Sequence, residues 1–347
     1  MRDHIRLEKW ANIYYNLETM KKLSPNSTNI WQELAAHKKP FFVLAPMDDV
    51  TDTVLRQMVQ KHAPANLMMT EFANTDGWCS PGREAIATRL KHLPIERPLI
   101  AQIWGITPEH YKQMANDIVE LGFDGVDINM GCPVKDMIKR GACSALIENH
   151  ALAAEIIAAT REGVGGKIPV SVKTRIGFNN IQTDDWIGFL LQQKLDAILV
   201  HGRTKRDMSK VPANWDEITK AVKLRDGISP STIIVGNGDV MSLAEGRERA
   251  KQSGVDGVMI GRGLFQNFFV FAHKQPDKDL PMMLRILREH VVLHQNTWQE
   301  AKFEPLKKFV KMYVNGFEHA SDTRNTLMLT KSHQELLLEI DKMLKSS

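Results

Sequence analysis

The cysteine in Met130-Gly131-Cys132-Pro133 combines a reactive atom with a reason to be presented. The preceding run, Gly125-Val126-Asp127-Ile128-Asn129, reads as a short buried strand with β-branched residues. Pro133 has no N–H to give a ladder, so pairing ends there. Gly131 lets the chain turn where a side chain would clash. Cys132 is therefore expected on a loop at the tip of a strand, where α/β proteins gather their chemistry. A thiol in that place can donate a proton or attack a substrate. The alternative is a small core residue, because free cysteine is among the most buried types. Lys135, Lys139 and Arg140 follow closely and favour a loop facing an anion.

Other strand ends carry polar groups of the same promise. Val170-Ser171-Val172-Lys173-Thr174-Arg175 alternates, which turns Lys173 and Arg175 to one side. A charge facing a barrel interior is costly unless it is paired or used. A fixed cation there would stabilise an anion bound in the mouth. Solvated rim charges are the other reading. His201, in Val200-His201-Gly202-Arg203-Thr204, ends a strand, unlike the other eleven histidines. Val235-Gly236-Asn237-Gly238-Asp239 and Ile260-Gly261-Arg262-Gly263 are glycine-bearing turns. Each alone reads as an ordinary loop. Together, after consecutive strands, they suit a phosphate, through close backbone N–H groups and the bidentate donors of Arg262. The acidic pair Asp48-Asp49 has no companion ligand spacing, so no metal is expected. Cys143 reads as structural.

These residues need elements that bring them to one place. Strand-like runs recur at Phe41–Ala45, Asn66–Thr70, Pro98–Ile103, Gly125–Asn129, Ile168–Lys173, Ala197–Val200, Thr232–Val235 and Gly257–Ile260. Helical patterns separate them. Eight strand-then-helix units over residues 40–275 predict a (β/α)8 TIM barrel, an α/β fold of ~250 residues. An open doubly wound sheet is the alternative, but its first turn is usually glycine-rich. Here that turn is Ala45-Pro46-Met47-Asp48-Asp49. Barrel closure would gather Met47, Asp48, Glu71, Asn74, Gln102, Asn129, Cys132, Lys173, Arg175, His201, Arg203, Asn237, Asp239 and Arg262 at one mouth.

Residues 1–39 read as a helical extension. Trp10, Ile13, Tyr14, Leu17 and Met20 recur at helical spacing, Ser24-Pro25-Asn26-Ser27 breaks the pattern, and a second helix spans Asn29–His37. Residues 276–347 show helical periodicity without strand alternation and predict a small all-helical domain after Gln275-Pro276-Asp277. Lys307, Lys308 and Lys311 share one of its faces.

Composition sets broad limits. The 347 residues are 43% hydrophobic and 25% charged, ordinary for a globular protein. A net charge of +4 permits an anionic partner without demanding one. Three cysteines, Cys79, Cys132 and Cys143, form no C-x-x-C pair, which argues against a disulfide framework or a zinc site. No apolar run reaches the ~20 residues of a membrane span, and the charged start MRDHIRLEKW is no signal peptide. A cytoplasmic location is expected, with no membrane partner. A monomer is the expected state.

The motifs also resemble a family. LAPMDDVTD at 44–52, AQIWG at 101–105, DINMGCPVK at 127–135, VKTRIGF at 172–178, HGRT at 201–204, GNGD at 236–239 and IGRG at 260–263 stand in the order of the tRNA-dihydrouridine synthases. The resemblance covers residues 40–347, and N-M-G-C-P is its most specific piece. It implies FMN in the barrel mouth, NADPH (or NADH) as electron donor, and tRNA as substrate, held partly by the helical domain. By position it puts Pro46, Met47, Asp48, Gln102, Lys173 and His201 at the flavin. Asn237, Gly238, Asp239, Gly261 and Arg262 would hold the flavin phosphate, and Asn129 and Arg175 the target uracil. Cys132 would be the proton donor to C5. Two positions depart from the family pattern. Asp49 and Cys143 stand where glycine is usual, and both bear on loop geometry. Residues 1–27 exceed the family's usual start. The other functions weighed are a flavin enzyme acting on a free pyrimidine or other small molecule, and a non-enzymatic RNA-binding protein.

Overall fold

Most of the strand segments have apolar side chains on both faces, and burial on both faces is what a parallel sheet covered by helices requires. In the computed structural model, which describes residues 29–298 and 303–346, they close into a barrel. The strands are β1 Phe41–Leu44, β2 Leu67–Asn74, β3 Leu99–Trp104, β4 Gly125–Met130, β5 Val170–Arg175, β6 Ala197–His201, β7 Ile233–Asn237 and β8 Gly257–Ile260. Each pairs in parallel with the next, and β8 returns to β1. The expected (β/α)8 architecture is thus the observed one. β2 runs four residues beyond the expected Thr70, because a register shift between Met69 and Phe72 lets it keep pairing with β3.

The period-two pattern sorts side chains into two cores. Val126, Ile128, Val170, Val172, Ile198, Val200, Val258 and Ile260 point outward and pack under the helices. Phe41, Val43, Leu67, Met69, Ile100, Leu199, Val235 and Met259 fill the barrel interior. No residue of β4 or β5 belongs to that interior cluster. Their inward positions are Asp127, Asn129, Ser171 and Lys173, beside Gln102 of β3. One wall of the barrel is therefore apolar and the other polar.

The amino-terminal end of the barrel is stoppered from below. Helix Ile30–His37 is capped by Asn29, whose side chain accepts from the N–H groups of Trp31 and Gln32. Trp31 and Leu34 of this helix are buried in the interior cluster. The amphipathic pattern around Trp10–Met20 lies outside the described residues.

After the barrel come helices Leu280–Trp298, Ala320–Met328 and His333–Ser346, with short turns of helix between them. Helix Leu280–Trp298 and the turn Lys307–Phe309 seat against the first strand–helix unit. Trp298 Nε1 donates to Asp52 Oδ2 at 2.7 Å, and Lys308 Nζ donates to the Asp49 carbonyl. The row Lys307, Lys308, Lys311 is thereby divided. Lys307 pairs with Glu304 at 3.0 Å, Lys308 holds the Asp49 loop, and Lys311 is exposed.

Candidate active site

The carboxyl ends of β1, β7 and β8 enclose a cleft of about 210 Å³. It is lined by Pro46, Met47, Lys173, His201, Asn237, Gly238, Asp239, Gly261 and Arg262, with Ser209 from the loop after β6. Two glycines keep it open. A Cβ on Gly238, at φ +133, would lie 2.5 Å from Ala213 Cβ, and one on Gly261 would press on Ala45 and Met47.

Charge is arranged around Asp239. Its Oδ1 accepts from Arg262 Nη2 at 2.7 Å and its Oδ2 accepts from Arg203 Nη2. Arg203 is buried, and its Nη1 also approaches His201 Nε2 at 3.1 Å. A guanidinium can only donate, so Nε2 accepts and the ring proton sits on Nδ1. Burial, followed by the charges of Lys173, Arg175 and Arg203, holds His201 well below its usual pKa, so the ring is neutral. Burial likewise lowers Lys173 to about 8, against the favourable field of Asp127. Lys173 Nζ makes no hydrogen bond or ion pair among the described residues. A cation in direct contact with no protein anion among the described residues, glycines where Cβ atoms would intrude, and a partly exposed Arg262 together fit a phosphorylated cofactor with a ring that becomes anionic on reduction.

Cys132 stands on the turn after β4, half-buried. The Asn129 side chain shapes that turn, its Oδ1 accepting from the N–H groups of Gly131 at 3.1 Å and Cys132 at 3.0 Å. Arg175 Nε donates to the Gly131 carbonyl at 2.7 Å, and its Nη1 to the carbonyls of Thr204 and Met208. One guanidinium thus ties the Cys132 turn to the loop after β6. The neighbouring Cys143 thiol is the largest influence on Cys132, and it lowers the Cys132 pKa to about 7. Burial opposes this, while the Val134 N–H and Arg175 assist. A short helix, Lys135–Lys139, follows, with Lys135, Lys139 and Arg140 exposed beside the turn.

Two of the residues expected at the flavin, Gln102 and Asp48, lie apart from the cleft, as do the Cys132 turn and its holders Asn129 and Arg175. Gln102 is fully buried below it, with its amide engaged by Asp127 and Asn129. Asp48 faces Arg89, whose Nη1 also meets Asp49 at 2.9 Å and Glu71. The three carboxylates are close enough to suggest a cation site, and the guanidinium of Arg89 sits among them. Sequence reading placed Arg203 at the mouth without giving it a task, and it passed over Asp127 and Arg89. Arg203 and Asp127 each sit two residues from a chosen residue on the same strand or its end, so the period of two could have found them. Arg89 comes from the segment between β2 and β3 and carried no such signal.

A family model described as dihydrouridine synthase matches residues 43–347. A Bacillus subtilis (strain 168) protein called "Probable tRNA-dihydrouridine synthase 2" is 42% identical over 317 residues, covering 90% of this chain and 96% of that protein. A Staphylococcus aureus (strain MRSA252) protein called "Probable tRNA-dihydrouridine synthase" is 40% identical over 318 residues, covering 90% and 95%. Among solved structures, morphinone reductase aligns with a TM-score of 0.48 at 14% identity, over 71% of this chain and 89% of that one. That likeness is too slight to bear on function.

Proposed function

Because the chain belongs to the dihydrouridine synthase family, we propose that it reduces uridines in tRNA to 5,6-dihydrouridine, with FMN bound in the barrel mouth, NADPH as electron donor and Cys132 as proton donor. The names of its relatives supply the tRNA substrate. When bound, FMN supplies the hydride that adds to C6 of the pyrimidine.

The rest of the work falls to the chain's own residues. Arg262, Asn237 and the backbone at Gly238 and Gly261 hold the phosphate end of the cofactor. Lys173 sits at the inner side of the cleft, where its charge favours the reduced, anionic ring. Addition at C6 leaves an electron pair at C5 and O4 of the base. Cys132 delivers its proton to C5, becoming a thiolate. A pKa near 7 matches the acid to neutral working conditions. Arg175 and Asn129 hold the turn that carries this sulfur, and the family resemblance assigns them to the uracil edge.

The base must leave its stack to enter, at a cost of roughly a few kcal/mol. Contacts between tRNA phosphates and the exposed Lys135, Lys139, Arg140 and Lys311 offset that cost and make binding salt-sensitive. The helical segment from residue 276 onward is assigned to orienting the tRNA.

One observation carries the reading: the half-buried Cys132 turn and the anion cleft share one barrel mouth, with Lys173 lining the cleft and Arg175, two residues on in β5, holding the turn. The test is purified protein with NADPH and unmodified tRNA, against free uridine as the competing substrate. Dihydrouridine should form in the tRNA and not from the free nucleoside. Cys132→Ala should keep its yellow cofactor and lose turnover. Colourless protein that takes up no FMN, or a fully active Cys132→Ala, would sink the proposal.

A further inference from the structure

Asp127 has no part in the reading above, yet a continuous line of hydrogen bonds runs from it to the Cys132 turn. It lies in register with Gln102 of β3 on one side and Ser171 of β5 on the other. Its Oδ2 accepts from Gln102 Nε2 at 2.7 Å and its Oδ1 from Ser171 Oγ at 2.7 Å. Gln102 Oε1 accepts from Asn129 Nδ2 at 3.0 Å. Asn129 Oδ1 closes the line on the backbone N–H groups of Gly131 and Cys132.

The direction of this line is fixed from the turn. In its ionised form Asp127 takes the Gln102 NH2 and leaves the Gln102 oxygen to Asn129, while burial, which raises the Asp127 pKa to about 7, works against that form. Asn129 must then present its NH2 to Gln102 and its oxygen to the turn. The turn offers two N–H donors and therefore demands that same oxygen. Reversing either amide would set donor against donor and acceptor against acceptor in a fully enclosed site, where unmade hydrogen bonds are expensive. Asp127 is 0% exposed, so it reaches neither substrate nor solvent and can act only through its neighbours.

We propose that Asp127 is a positioning residue for proton transfer: as the acceptor that ends the line through Gln102 and Asn129, it locks both buried amides in place and so holds the turn that aims the Cys132 sulfur. The proposal rests on the reading of Cys132 as the acid.

The test uses the full-length holoenzyme with three readouts. They are the alkylation rate of Cys132 by iodoacetamide at neutral pH, mapped by peptide mass, then kcat and KM for tRNA, and FMN affinity. Asp127→Leu removes the acceptor. It should change the alkylation rate and lower kcat about 10- to 100-fold, the scale of an ångström-level misplacement, while KM for tRNA stays put. Asp127→Asn should preserve both, because Oδ1 can still accept from Gln102 while Nδ2 donates to Ser171 Oγ. Unchanged alkylation and kcat in Asp127→Leu would overturn the proposal, as would an Asp127→Asn variant as impaired as Asp127→Leu. Should Asp127→Leu fail to fold, polarity is tested by reversal. Asn129→Asp sets two carboxylates against one amide and should lower the melting temperature. Adding Asp127→Asn lets the Gln102 amide turn round, its oxygen accepting from position 127 and its NH2 donating to position 129, and should restore much of that loss, whereas additive losses would refute the relay. An active Cys132→Ala would remove the assignment of the acid, a result separate from any of these.

Discussion

Arg262 Nη2 donates to Asp239 Oδ1 at 2.7 Å, and this is the one polar contact its guanidinium makes among the described residues. More than half of the side chain is exposed, at the start of the short helix Gly263–Gln266. Asp239 thus sets the angle of a guanidinium whose other edge stays open to an anion. Arg262→Ala should weaken FMN binding about ten- to a hundredfold, since hydrogen bonds to charged groups contribute roughly 1.5–3 kcal/mol. Riboflavin, which lacks the phosphate, should bind the variant and the parent equally. Titration of flavin-free protein with both compounds checks this. Equal losses for the two would place Arg262 away from the phosphate.

Cys132 must carry its proton to act as an acid, and its pKa is lowered to about 7, first of all by the Cys143 thiol. The sign follows directly. Turnover on tRNA should fall as pH rises through about 7, while Cys132 alkylation, which needs the thiolate, should rise over the same range. Cys143→Gly removes the neighbouring thiol and should move both midpoints upward together. The substitution should be well tolerated, because Cys143 sits at φ 55, where a side chain costs roughly 1–2 kcal/mol that glycine avoids. Midpoints that stay in place would show that Cys143 does not tune the acid.

Cys143 also shows how much was legible in advance. It and Asp49 stand where the family's motifs usually have glycine, and both adopt left-handed backbone, at φ 55 and φ 56. The turns keep the shape a glycine would give them. The barrel was readable because period-two alternation and buried runs recur eight times, and parallel strands must then close or stay open. Lys173 could be assigned to the inner face for the same reason. The line from Asp127 to Cys132 was hidden because it depends on register. Gln102 and Asp127 are 25 positions apart, and only strand pairing sets them side by side. Arg175 was read as a residue at the uracil. Its three carbonyl contacts come from loops with no periodic signal.

Arg56 and Glu96 form an ion pair with both side chains fully buried, at 2.7 Å. Arg56 also donates to the carbonyls of Thr51 and Lys91, and Glu96 accepts from Thr53 Oγ1 and the Leu93 N–H. The pair pins the helix Thr53–His62 to the segment before β3. Removing one partner leaves a buried charge unmatched, so Arg56→Ala or Glu96→Ala should each cost about 3–5 kcal/mol. Replacing both with apolar residues, as in Arg56→Met with Glu96→Leu, should cost less than either single change. Denaturant melts of the three variants decide it, and a double variant at the sum of the singles would show that the two charges are uncoupled.

Trp31 closes the bottom of the barrel 6.2 Å, ring centre to ring centre, from Phe41. Above it the interior cluster runs through Phe41, Val43 and Met259, and Met47, which lines the cofactor cleft, packs against that cluster. The ring is fully buried, but its Nε1 has no hydrogen-bond partner among the described residues. The indole therefore contributes by filling space, and its N–H is a burden. Trp31→Ala should cost about 3–5 kcal/mol, the usual range for emptying so large a site. Trp31→Phe gives up part of the volume but also relieves an unpaired donor, worth roughly 1–3 kcal/mol, so it should fall far closer to the parent. Thermal unfolding with FMN present and absent checks both. A phenylalanine variant as damaged as the alanine variant would mean that Nε1 has a partner in solution and that the floor of the barrel is held by polarity as well as by packing.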